Sequence, residues 1–131
     1  MFLRGSILSM AVFGALTAAA AEPSTEACFA QHTVIKVVPQ HATIAAGQGT
    51  YDRLVGARAY VPAKPGLTGE WLHALLARRS AEARSGTECP LDVPGVSINV
   101  RSAGPGFWVS LTSRDADDAK ELLRRTQTLT R

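Results

Sequence analysis

The residues in this chain whose chemistry depends on spacing are two cysteines and three histidines. Cys28 stands four residues before His32 and is followed by His41, while His73 and Cys89 lie much further along. Sulfur and imidazole together suit zinc or copper, so Cys28, His32 and His41, with Cys89 or His73 added, form one conceivable metal set. Their spacing does not support it: there is no C-x-x-C, no H-x-x-x-H and no carboxylate motif beside these histidines, and the two methionines, Met1 and Met10, sit at the extreme N-terminus. In an exported chain, two cysteines most simply form a disulfide. A Cys28–Cys89 bridge encloses 60 residues, and closing a loop of that length stabilises a fold by about 4 kcal/mol. A lipid anchor on Cys28 would need the cysteine directly behind an apolar leader, whereas the polar EPSTEA segment, residues 22–27, intervenes with two carboxylates.

Other chemistry is weakly represented. No serine lies in G-x-S-x-G, and the histidines have no evident nucleophile or acid partner. The Gly47-Gln48-Gly49 stretch lacks the third glycine of a dinucleotide fingerprint. Asp115, Asp117 and Asp118 could pair as catalytic carboxylates, but acidic residues at the start of a helix are accounted for by capping and by the helix dipole. The expectation is therefore a non-catalytic protein with no cofactor.

Export is read from the first 21 residues. Arg4 precedes an apolar core, Ile7 to Leu16, and Ala19-Ala20-Ala21 supplies a small-residue cleavage signal. The apolar run of 15 residues from Ile7 to Ala21 is shorter than the roughly 18 to 20 that a spanning helix needs, and Pro23 prevents its continuation. Cleavage after Ala21 leaves 110 residues, room for one core, in the periplasm or secreted, with no stable membrane span. The full chain carries 14 basic and 11 acidic residues. So small an excess does not suggest a nucleic acid partner.

The remaining pattern describes what must position any site. Thr33 to Val38 (TVIKVV) is rich in β-branched residues and predicts a strand closed by Pro39. His41 to Asp52, glycine-containing and polar, predicts a loop, so residues 22–53 read as an N-terminal arm with one strand. From Leu54 onward a compact unit, 54–131, begins. Val55, Ala57, Ala59 and Val61 alternate with Gly56, Arg58 and Tyr60 in a half-buried strand. Thr68 caps a helix running from Gly69 to around Arg84, with Trp71, Leu72, Leu75, Leu76 and the stem of Arg79 on its inner side and His73 in solvent. Val96, Ile98 and Val100, then Phe107, Val109 and Leu111, give a hairpin turning at Ser102 to Gly106. Ser113 or Asp115 caps a second helix whose inner stripe is Ala116, Ala119, Leu122, Leu123 and Thr126.

The resulting β-β-α-β-β-α order predicts an α+β two-layer sandwich, a sheet of three or four strands with two helices on one face. From Leu54 the order resembles a ferredoxin-like arrangement truncated before its last strand, a plan shared by many unrelated functions. With the apolar faces turned to the helices, the opposite sheet face carries Arg58, Tyr60, Asn99, Arg101 and Trp108, with Trp108 opposite either Asn99 or Arg101. Aromatics among arginines and neutral polar groups suit recognition of an envelope protein, peptide or glycan, or a homodimer. The competing expectation is that the arm, tied down by the disulfide, crosses this face and turns it into a second small core.

Overall fold

The computed structural model describes residues 28–29, 32–82 and 84–130. The expected leader, residues 1–21, lies outside them. The chain forms β1 (Lys36–Ala46), β2 (Gly49–Pro62), α1 (Gly69–Ala81), a short 3-10 turn (Pro90–Asp92), β3 (Ser97–Ala103), β4 (Gly106–Thr112) and α2 (Ala116–Thr128). All four strands pair antiparallel in the order β1-β2-β4-β3. Both helices pack on one sheet face, α1 over β3 and α2 over β2. The α+β sandwich and its β-β-α-β-β-α order are those expected from the sequence. β1 takes the edge beside β2, which completes a four-stranded sheet from the N-terminal side.

Period-two burial drives the central strands. Ala57, Ala59 and Val61 of β2 and Phe107, Val109 and Leu111 of β4 are buried, as are Leu72, Leu76 and Leu122 from the helices. Thr68 caps α1 by accepting a hydrogen bond from the Trp71 N–H at 3.1 Å, and Asp115 caps α2 by accepting from the Asp118 N–H at 2.9 Å.

Four local expectations are corrected. β1 runs through Pro39 to Ala46, because an edge strand has one side without ladder bonds and so tolerates the missing N–H. The segment expected as a loop, His41 to Asp52, is instead the far half of a hairpin turning at Gly47-Gln48, so the 53/54 boundary falls inside β2. The first helix ends at Ala81 rather than near Arg84, since the Arg84 N–H donates to Asp92 Oδ1 at 3.0 Å. Trp71, expected inward, is 56% exposed; Leu72 and Leu76, four residues apart, form the seam, and α1 leaves its flank in water.

Cys28, Phe29 and Val34 join the core on the helix side. Cys28 and Cys89 are disulfide-bonded, with Cα atoms 5.6 Å apart. Phe29 is fully buried and Val34 nearly so, both within the core shared with the helices. The corner around Cys89 is braced by Asp92, whose side chain is 1% exposed. Its carboxylate accepts from Arg79 Nη1 at 2.6 Å and Nη2 at 2.9 Å, from the Arg84 N–H, and from the Thr87 hydroxyl. Burial opposes the charged form, but these hydrogen bonds and the Arg79 charge outweigh it and hold the carboxyl at about 2.

Candidate functional site

The face away from the helices is set by register. Tyr60 pairs with Trp108, and Trp108 with Arg101; in the next row Arg58 pairs with Ser110, and Ser110 with Asn99. The five residues expected on this face from the sequence are therefore gathered there, and Trp108 lies opposite Arg101 rather than Asn99. All of them but Tyr60 line a shallow groove of about 520 Å³, together with Gln40 and Ser110.

Each aromatic is held from several sides. The Trp108 and Tyr60 rings meet edge to face at 5.0 Å between centroids, and the Arg58 guanidinium lies 5.2 Å from the indole centroid, within range of a cation–π contact. The Tyr60 hydroxyl donates to the Ala103 carbonyl at 2.9 Å. Gly106 makes room for that phenol, since a Cβ there would stand 2.7 Å from its oxygen and 2.5 Å from the Val61 carbonyl. Tyr60 thus shapes and steadies the indole while its own polar end is occupied. Arg101 and Asn99 are exposed, and among the described residues neither side chain has a hydrogen-bond partner.

The basic character of the face extends further than expected. Lys36 pairs with Tyr60, and Gln40 accepts a hydrogen bond from the Ser110 hydroxyl at 3.2 Å. Both lie in β1, whose alternation continues past Pro39; counting by twos through the proline would have found Gln40. β2 then carries one extra residue, Val55, where the pairing passes from Gln40–Gly56 to His41–Leu54. A Cβ on Gly56 would come within 1.9 Å of the Leu111 carbonyl, so the bulge needs glycine there. Beyond it Arg53 pairs with Ala42, on the open side, and its guanidinium donates to the Arg114 carbonyl. Asp52 pairs and hydrogen-bonds with Thr43, on the opposite side. The other described carboxylates belong to α1, α2 and the loops beside them. Lys36, Arg53, Arg58 and Arg101 thus share a face on which no described residue places a carboxylate.

The residues of the metal alternative are dispersed. The Cys28 sulfur is in the disulfide. The His32 Nδ1 is buried with no hydrogen-bond partner among the described residues, and burial, then the Lys64 charge, lowers its pKa. His41 is exposed in β1, across from the β2 bulge. Among the described residues no three of His, Cys, Asp and Glu converge to hold a metal ion. His73 is exposed as expected, yet its Nε2 lies 3.1 Å from the Ile98 carbonyl of β3. Among the described residues no helix is long and apolar enough to cross a membrane.

No protein-family model, curated protein or solved structure matches this chain.

Proposed function

We propose that this is an exported, non-catalytic binding domain that recognises a carboxylate-bearing protein or peptide through its open sheet face. The observation that carries the reading is Trp108: a half-buried indole with Arg58 over its ring and Arg101 opposite, on a face with four cations and no described carboxylate. Trp108 supplies rigid contact area, while Arg58 and Arg101 offer planar donors that a carboxylate accepts in pairs. Asn99 and Gln40 add neutral donors and acceptors along the groove. Export rests on the leader pattern of residues 1–21, and the disulfide is the state an oxidising compartment produces.

The chain has two tryptophans, so Trp71→Phe leaves an indole emission that reports on Trp108 alone. Titrating that variant with a hexaglutamate peptide should shift the emission, and a hexaglutamine peptide should not. Affinity should fall as salt rises, because the attraction is between solvated charges. Arg58→Ala and Arg101→Ala should each weaken it at least tenfold, and Trp108→Ala should remove binding, shown by calorimetry, with a stability loss of about 1 kcal/mol from the aromatic pair. Equal responses to both peptides, or binding indifferent to the two arginines, would reject the proposal.

A further inference from the structure

The two edges of the sheet differ in protection. β3, at one edge, is seven residues long, carries Arg101, has α1 packed over it, and has the His73 ring against the Ile98 carbonyl. β1, at the other, is eleven residues long, and no described element lies along its outer side. Among the described strands only β2 pairs with its far half: β4 pairs with β2 only as far as Gly56–Thr112, so residues 41–46 and 49–54 continue as a two-stranded arm. Six residues at strand rise carry the arm about 20 Å past the last β4 pair.

Two features make this arm unusual as a free element. Two strands alone are marginally stable in water, and this pair buries no residue completely. The devices that normally keep an edge from pairing are also missing. From Val37 to Tyr51 there is no Lys, Arg, Asp or Glu, and Pro39 blunts only the start of the edge. On the open side of the arm Ala42 and Ile44 lie beside Tyr51, which is 51% exposed, with Arg53 at the base.

We infer that β1 is the contact between two copies of this chain, joined edge to edge by antiparallel pairing of residues 40–46. A second copy is the occupant favoured by charge and symmetry. Antiparallel pairing about a two-fold axis at Thr43 sets Ala42 against Ile44, His41 against Ala45 and Gln40 against Ala46. No like charges oppose one another, and Pro39 falls outside the ladder. Partners then have the same parity, so the two sheets join as one of eight strands, with four helices on one side and both Trp108 faces on the other. A single ladder of this length is small beside the roughly 1,200 Å² of standard complexes, so association is concentration-dependent. The inference is independent of the ligand proposed for the Trp108 face.

Sedimentation velocity on the mature, oxidised protein tests the pairing, together with hydrogen exchange read at low and high protein concentration. A dimer should form as concentration rises, with slower exchange confined to residues 40–46. Thr43→Lys, which sets two ammonium groups against each other at the axis, should weaken it at least tenfold. A protein that stays monomeric, including one whose β1 is taken by an unrelated strand, overturns the inference. So does a dimer that Thr43→Lys leaves intact, or exchange in β1 that ignores concentration. Should Thr43→Lys fail to fold, the exchange pattern of the unmodified protein decides alone.

Discussion

Residues 84–93 and residues 41–54 are both excursions from the central sheet, held in opposite ways. The first is fixed by a disulfide, a nearly inaccessible Asp92 carboxylate with four donors, and the buried side chains of Leu91 and Val93. The second is held by the ladder between β1 and β2, the Thr43–Asp52 hydrogen bond, and the Arg53 and Ser113 contacts at its base. Polar groups in the corner are satisfied by neighbours within the chain, whereas along the arm the outer backbone groups of β1 face away from every described element. Stability and availability for contact are thus separated in space.

That contrast predicts a graded response to damage. Cys28→Ser with Cys89→Ser should be the most harmful change, lowering unfolding free energy by about 4 kcal/mol in denaturant titration. Asp92→Ala should follow at about 3 kcal/mol, because it strands the Arg79 guanidinium, 15% exposed, without its partner. Acid should erode the same contact. The Asp92 carboxyl is held at about 2 against an ordinary 3.8, so in that window the unfolded chain binds more protons than the folded one. Its contribution is complete above pH 4 and is lost as pH falls from about 4 towards 2, some 2 kcal/mol in all. That slope should be shallower in the Asp92→Ala protein, where the Glu121 carboxyl, also held at about 2 by its hydrogen bonds to Arg124 and Arg125, still contributes to it. Thr43→Lys, in the arm, should alter stability by less than about 0.5 kcal/mol while altering self-association. A large loss of stability from the arm, or a negligible one from Asp92, would break the comparison.

The body of the fold was readable because its elements face two different solvents. Val55 to Val61, Val96 to Val100 and Phe107 to Leu111 alternate sharply, since one side meets the helices and the other meets water. Thr68 and Asp115 are caps with side chains of the right reach. Antiparallel register then gathers Arg58, Tyr60, Asn99, Arg101 and Trp108 without further information. The arm was not readable. Its alternation is written in Ala, Thr and Gly, whose hydropathies differ little, and neither side is deeply buried. Pro39 looked like a strand end because nothing in its own neighbourhood reveals that its strand lies at an edge. Trp71 departs from its expected place for a related reason: a helix pattern identifies a stripe, but how much of its flank is covered depends on where the helix sits over the sheet.

Counted by twos from Arg58, Asp52 would stand among the cations. The spare residue at Val55 acts like a frameshift written into the backbone, turning the acid away and bringing Arg53 round in its place. One carboxylate fewer and one guanidinium more on that surface is a net swing of two charges, obtained from strand geometry with no change of composition.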